Sequence, residues 1–562
     1  MVYLLWKTAF YIAPLITLVS TQHGKPEIEF PLMTDATLEN LKAGLEAGWW
    51  TSANLVETYG VRHVETHNYL RAISEWSRNA SNTARALDRE RKAGKIRGPL
   101  HGIPILIKNN IATSDFLQNT AGSTILKNTF VSRDATVIAK LRAAGAIILG
   151  KSNLSQWANF RSSNSSNGWS AHGGQVQGVY YPEQDPCGSS SGSGVATTAG
   201  LAWASLGTET DGSIICPASW SNIVGIKPTV GLTSRDLVIP ISERQDTVGP
   251  MARTVKDAAY LLQAIAGPDP NDNYTSAIPF PAGKLPDYVK ACKKSALKGA
   301  RIGVPHHAIS PSTSPQVLAY FNAALWVLAD AGATVVDNVN YTGWQSYVSD
   351  AGASESKVLS ADFVANLASY LKKLVQNPLN LTSLEDVRRY TREQEEEEYP
   401  DRDTASFDEA IELSSRVKNT DKEVWDAYQR NLYFGGEGGL LGALDKYNLD
   451  AVVLPSNTAS GISAIIGGPV ITVPLGAYSL NTTVKYNRRG NLVEVGPGVP
   501  FGMAFAGKLW SEEKLIGLAY AFEQRTKVRG KVKALFGPMT ELEDIVEGKR
   551  NGTAVEILTR GV

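Results

Sequence analysis

From about residue 100 onward, short unbroken apolar runs alternate with segments whose apolar positions recur at helical spacing. Ile103-Pro-Ile-Leu-Ile107 has no polar alternation, the pattern of a strand buried on both faces, and it ends at Lys108. Asp134 is predicted to cap a helix through Val137, Ile138 and Leu141 that closes at Gly145, after which Ala146-Ile-Ile-Leu149 reads as a second buried strand. The same grammar returns downstream. Arg301-Ile-Gly-Val304 reads as a strand, Ser314-Pro315 opens a helix through Val317, Phe321, Leu325 and Leu328 that closes at Gly332, and Thr334-Val-Val336 follows as a strand. Ala451-Val-Val-Leu454 and Val470-Ile-Thr-Val473 add two more, while Thr37 before Leu38, Leu41 and Leu45 marks an early amphipathic helix. This alternation predicts an α/β fold, a mixed or parallel sheet covered by helices. The stretch from about Tyr341 to Asp445 is poor in strand signals and reads as an inserted helical region, its acidic run Glu393 to Glu398 as a solvated helix face.

Composition narrows this picture. A chain of 562 residues has room for three or four domains at roughly 150 residues each. No fixed-period repeat and no Gly/Ser- or Pro-rich linker divides it, so residues 22–562 are expected to form a single large domain with the insertion at about 341–445. With 43% hydrophobic and 20% charged residues the chain is neither disordered nor fibrous. Its 55 basic and 55 acidic residues cancel, which leaves no global field toward nucleic acid. The three cysteines, Cys187, Cys216 and Cys292, lack CxxC spacing and are too few for a disulfide scaffold, so a structural metal site is not expected.

Residues 1–21 have signal-peptide form: basic Lys7, an apolar run from Thr8 to Val19, then small Ser20 and Thr21. The run is shorter than the ~20 residues that span a bilayer, so stable membrane insertion is not expected. Asn-x-Ser/Thr sequons at Asn79, Asn153, Asn164, Asn273, Asn340, Asn380, Asn481 and Asn551 fit a glycosylated, secreted protein.

The densest chemical signal is Cys187-Gly-Ser-Ser-Ser-Gly-Ser-Gly194, then Gly207-Thr-Glu-Thr-Asp-Gly-Ser-Ile214. A Gly/Ser run alone is ordinarily a flexible loop. Here it leads without any charge into Val195 to Leu206, which buries the adjoining backbone, and glycine turns present N–H groups to a phosphate or an oxyanion. Neither GxxxxGK[ST] nor a strand-framed GxGxxG supports nucleotide binding. No GxSxG elbow is present, and His63 and His67, four apart without HExxH order, read as surface residues, so a histidine base is disfavoured. Lys108 is the remaining base candidate, since desolvation at the end of an apolar strand favours the neutral amine; from position alone a lysine snorkelling out of the strand fits equally well.

These residues resemble the amidase signature family of serine hydrolases. The likeness spans about Ile28 to Arg529 and is strongest from Gly98 to Ala258, through Gly98-Pro-Leu-His-Gly-Ile-Pro-Ile-Leu-Ile-Lys108, Gly150-Lys-Ser-Asn-Leu-Ser-Gln-Trp-Ala-Asn159, Asp185-Pro-Cys-Gly-Ser-Ser-Ser-Gly-Ser-Gly194, Val224-Gly-Ile-Lys-Pro-Thr-Val-Gly-Leu232 and Gln245-Asp-Thr-Val-Gly-Pro-Met-Ala-Arg253. Glu-Thr-Asp-Gly-Ser213 followed by Cys216-Pro-Ala218 is similar to the branch holding bacterial peptide amidase and many fungal and plant amidases. The resemblance implies a large mixed sheet with helices on both faces, a catalytic lysine at Lys108, a cis-peptide serine at Ser189, a nucleophile at Ser213, and an oxyanion hole around Thr210, Asp211, Gly212 and Ser213. It implies an amidohydrolase working through an acyl-serine on a small-molecule or peptide-terminal amide, a monomer or homodimer without cofactor or nucleic-acid partner. The amidating component of a tRNA-dependent amidotransferase is the alternative, and a silent binding protein the third reading. Many members carry Lys-Asp-Asn where this chain has Lys108-Asn109-Asn110, which replaces a carboxylate that could support the base. Cys216 stands where an arginine often follows the nucleophile, and it is expected to be a small buried thiol. Substrate side chains are expected to meet the N-terminal helices and the insertion.

Overall fold

Strand Pro104–Lys108 is buried along its whole length because it pairs in parallel on both sides, with Ile147–Ser152 and with Ala204–Glu209. It belongs to an eleven-stranded sheet. Named by first residue, the order across it is Ile73, Ile147, Pro104, Ala204, Thr247, Val224, Val470, Pro500, Ala451, Arg301 and Thr334. Pairing is parallel around Pro104 and again from Ala451 through Arg301 to Thr334, and antiparallel in between, so the sheet is mixed. Helices cover it on both faces, as the alternation of strand and helix signals requires. The computed structural model describes residues 28–281 and 284–548, and the described residues from Pro31 onward form one compact unit. The leader at 1–21 and the sequon at Asn551 lie outside the described residues.

The predicted strands all form, and several run further than their apolar cores, because a ladder continues wherever neighbouring backbone remains: Ile147–Ser152 extends three residues past Leu149. Two caps match their sequence signals. Thr37 closes a capping box with Asn40 on helix Leu38–Ala47, and Ser314 accepts from Gln316 N at the start of Pro315–Asp330. The third does not. Helix Thr136–Ala143 has Ala135 at its N-cap, and the Asp134 carboxylate is drawn off to Ser114 N at 2.8 Å and Arg142 Nε at 2.9 Å.

The region predicted to be an insertion holds helices Trp344–Leu371, Leu384–Glu393, Ala405–Ser414, Lys422–Gly435 and Leu440–Lys446. It also contributes a short strand, Leu374–Gln376, paired with Phe130–Val131. Phe363 and Phe407 stack on each other and meet Trp157 edge-on, which seats these helices on the loop that follows strand Ile147–Ser152. The acidic run is not a solvated helix face. Glu395–Glu397 is a single tight turn, and Glu397 is fully buried, accepting from Ser123 Oγ, Thr124 N and Arg161 Nη1 at 2.7, 2.8 and 2.9 Å. A buried carboxylate persists only with such partners, and removing one partner of a buried pair costs about 3–5 kcal/mol. No described helix is long and apolar enough to cross a membrane.

Candidate active site

Lys108 ends its strand wholly buried, with Nζ 2.8 Å from Ser189 Oγ, 2.8 Å from Thr208 Oγ1 and 3.1 Å from Thr208 O. Burial pulls its pKa down to about 7, against the opposing pull of Glu209 and Asp246. Three acceptors around a tetrahedral nitrogen suit an ammonium. Two acceptors and one hydroxyl that donates suit the neutral amine equally, so this site tolerates both charge states without stranding an N–H. Thr208 Oγ1 is itself held by Asn110 Nδ2 at 3.0 Å. Asn109, the departure from the family pattern, faces elsewhere: its Oδ1 accepts from Thr120 N at 2.8 Å and its Nδ2 donates to Ser74 Oγ at 2.8 Å. The amide there pins a loop rather than tuning the lysine.

Ser189 follows a cis peptide bond from Gly188, and the next residue joins it to the second serine: Ser190 N donates to Ser213 O at 3.1 Å. Far from being a flexible loop, the Gly/Ser run is buried and opens helix Ser191–Thr198. A methyl group at Gly192 would lie 2.3 Å from Ala72 O and 2.5 Å from Asn153 O, so backbone fills the space a side chain would need. Ser213 ends a turn in which Gly212 takes φ +78°, a left-handed conformation that glycine adopts without cost. Among the described residues, the N–H groups of Thr210, Asp211, Gly212 and Ser213 donate to no protein acceptor. The following N–H groups, of Ile214 and Ile215, are occupied by buried Glu209 Oε2 at 2.6 and 2.9 Å. Glu209 thus anchors the start of the helix behind Ser213 and leaves the turn ahead of it free to receive an oxyanion.

Thr210 Oγ1 donates to Asp246 Oδ1 at 2.6 Å, and burial pushes the Asp246 carboxyl up to about 6. Asp211 points toward the long helix Trp344–Leu371. A methyl at Gly461 would sit 2.9 Å from Tyr347 Oη and 3.7 Å from Asp211 Oδ2, while Glu355 accepts from Gln245 Nε2 at 2.8 Å. Burial raises the Glu355 carboxyl, and the nearby Asp211 carboxylate raises it further, to about 7. The inserted region therefore does wall the turn that carries Ser213. Sequence reasoning named neither Thr208, Glu209 and Asn110 as support nor Glu355 as wall; the first three lie in or beside quoted motifs, whereas nothing local marks Glu355.

Other candidates fall away on geometry. Among the described residues no histidine hydrogen-bonds Ser189 or Ser213: His101 meets Leu87 O, His306 meets Asp337, and His307 meets Tyr341 N. His63 is not a plain surface residue, since its ring stacks on Trp76 with centroids 5.3 Å apart. Cys216 is not a free thiol. It forms a disulfide with Cys187, Cα atoms 5.9 Å apart, because the fold lays the loop before Ser189 against the helix after Ser213. Cys292 remains a thiol, with burial pushing its pKa up to about 12. No group of three or more His, Cys, Asp or Glu suited to a metal occurs among the described residues.

Known proteins share this fold and much of this sequence. The amidase family model matches residues 54–516. An assigned amidase of Arthroderma benhamiae is 53% identical over 92% of this chain and 90% of its own length, and an assigned amidase of Arabidopsis thaliana is 38% identical over 88% and 91%. The crystal structure of peptide amidase from Stenotrophomonas maltophilia superposes with a TM-score of 0.78 at 36% identity, covering 90% of this chain and 99% of that one. A glutamyl-tRNA(Gln) amidotransferase component from Moorella thermoacetica is more distant, 30% identical over 81% and 89%. Membership is thus carried by nearly the full length of the chain as well as by its motifs: the protein belongs to the amidase family and is an enzyme that hydrolyses amides.

Proposed function

We propose that Ser213 is the nucleophile, Ser189 the proton bridge and Lys108 the base, acting on a small-molecule or peptide-terminal carboxamide without a cofactor. Neutral Lys108 takes the Ser189 proton as Ser189 takes that of Ser213, whose Oγ attacks the carbonyl carbon. The oxyanion that forms accepts from N–H groups of the turn Thr210 to Ser213, where one donor is worth about 3 kcal/mol. The proton then returns through Ser189 to the amide nitrogen, ammonia or an amine leaves, and water repeats the cycle on the acyl-serine. The observation that carries this reading is the 2.8 Å contact between a fully buried lysine and Ser189 Oγ. An amide leaving group must be protonated as it departs, and this contact supplies a group able to give back the proton it took. A fluorophosphonate probe should label Ser213 in the wild type and nothing in Ser213→Ala, and ammonia release from a panel of aliphatic, aryl and peptide-terminal amides should rank the substrates. Labelling at Ser190 or Ser191 would overturn the assignment.

The reading extends to a secreted, glycosylated enzyme, monomeric or homodimeric. Support comes from the disulfide, which persists in oxidising compartments, and from exposed sequon residues Asn79, Asn164, Asn273, Asn340, Asn380 and Asn481. Asn153 is fully buried and drops out as an acceptor. In a secreting host the protein should start near Gln22 and shift on gels after N-glycosidase treatment; an unshifted intracellular chain keeping Met1 would refute this.

A further inference from the structure

The disulfide closes a ring over a sequence separation of 29. Inside that ring lie Ser189, Thr208, the turn Thr210 to Gly212 and Ser213; of the groups named in the relay, Lys108 alone lies outside. Cys187 sits two residues before Ser189, and Cys216 three residues after Ser213. Each cysteine is fixed on its own side: Cys187 N donates to Asp185 Oδ1 at 2.8 Å and Cys187 O accepts from Ser191 Oγ at 2.5 Å, while Cys216 N donates to Gly212 O at 2.8 Å. The hydrogen bonds that also join these segments are weaker than a covalent link and include Ser190 N to Ser213 O and Ser190 Oγ to Thr208 O, each at 3.1 Å, and Gln184 Nε2 to Trp220 O at 3.0 Å; none of these holds Ser189 itself. The bridge is thus the covalent tie between the loop that delivers Ser189 and the helix behind Ser213.

We propose that the Cys187–Cys216 disulfide is a positioning element of the relay, setting Ser189 against Ser213, and that turnover of amides depends on its oxidised state. The proposal rests on the Ser213, Ser189 and Lys108 roles given above. Proton transfer through two hydroxyls needs both hydrogen bonds short and aligned at once, and these bonds weaken steeply with distance and angle. A displacement of about 1 Å at a reacting group costs about a hundredfold in rate. Opening the bridge needs a thiol reductant. A dithiol attacks as thiolate at half-buried Cys216 Sγ, since Cys187 is only 8% exposed. The S–S bond breaks, Cys187 leaves as thiolate and takes a proton. The reagent's second thiol then displaces the mixed disulfide, so two electrons pass to the bridge and the dithiol ends as its own disulfide. Cys292 does not compete, because a thiol held near 12 offers almost no thiolate at neutral pH.

The test uses the full oxidised enzyme, treated with dithiothreitol well below its melting temperature, with near-UV circular dichroism recorded beside activity. Loss of about ten- to hundredfold in kcat on an amide is expected, with KM within about threefold, a smaller loss on an activated ester, and recovery on reoxidation with glutathione disulfide. Cys187→Ser/Cys216→Ser should show the low kcat without reductant, and Cys292→Ser should behave as wild type in both states. Reduced enzyme that keeps full amide kcat, or that loses its near-UV signal in step with activity, overturns the proposal, since the bridge would then only stabilise the fold. Should oxidised Ser213→Ala still hydrolyse amides, the underlying relay fails instead, and the two failures are told apart.

Discussion

Lys108 and Lys151 lie on adjacent parallel strands, both fully buried, and burial pulls both to about 7. Their surroundings differ in kind. Lys151 Nζ donates to Ile111 O at 2.5 Å and to Asn119 Oδ1, acceptors that have no proton to give. Lys108 meets two hydroxyls, and a hydroxyl both accepts and donates. Low local dielectric therefore shifts a lysine wherever it lies, whereas acting as a base requires a neighbour that surrenders a proton. Buried Lys227 makes the same point from a third strand, with Nζ on Gly468 O at 2.6 Å and its pKa lowered to about 8 by burial.

That contrast is sharpest where the reaction is abolished. Ser213→Ala should lose at least about ten-thousandfold in amide kcat while keeping its fold by circular dichroism. Lys108→Met should lose about a thousandfold on amides and clearly less on activated esters, whose leaving groups need no proton; equal losses on both would remove Lys108 from leaving-group protonation. In wild type kcat/KM should fall as pH drops through about 7, because the protonated amine no longer accepts the Ser189 proton. Lys151→Met should keep that acid limb unchanged, and a limb that vanished in this variant would reverse the assignment of the two lysines. Thr208→Val keeps the shape but removes one acceptor. The ammonium loses more than the amine, so the acid limb should move to lower pH, with kcat down about tenfold. The smallest effect on turnover belongs to Lys151→Met itself: activity within about threefold, and a melting temperature a few degrees lower as Ile111 O and Asn119 Oδ1 lose a donor worth ~1–3 kcal/mol.

The sequence exposed whatever is decided locally. Apolar runs found six of the sheet's eleven strands, Ser314-Pro315 and Thr37 found their helices, and the Gly/Ser motifs located the turns that meet at Lys108. Features set by distant partners stayed hidden. Glu397 looked solvated because Arg161, its counter-charge, lies 236 positions away, and Asp134 looked like a cap because Ser114 is 20 positions away. The Cys187–Cys216 bond escaped for the same reason: neither cysteine's neighbours announce that helices Ser191–Thr198 and Ile215–Trp220 pack together. Glu355 sits on a helix whose pattern reports only burial, not which face meets Asp211.

The crowding at Gly192, where carbonyl oxygens occupy the place of any side chain, divides this enzyme into ground that evolution can and cannot explore. A substitution there has no rotamer to relax into, because the obstacle is backbone on two other segments. Laboratory libraries aimed at new substrates would waste their diversity in the Gly/Ser run. They belong on the helical wall, at positions such as Tyr347 and Glu355, where a side chain borders the turn and can be exchanged without moving the chain beneath it.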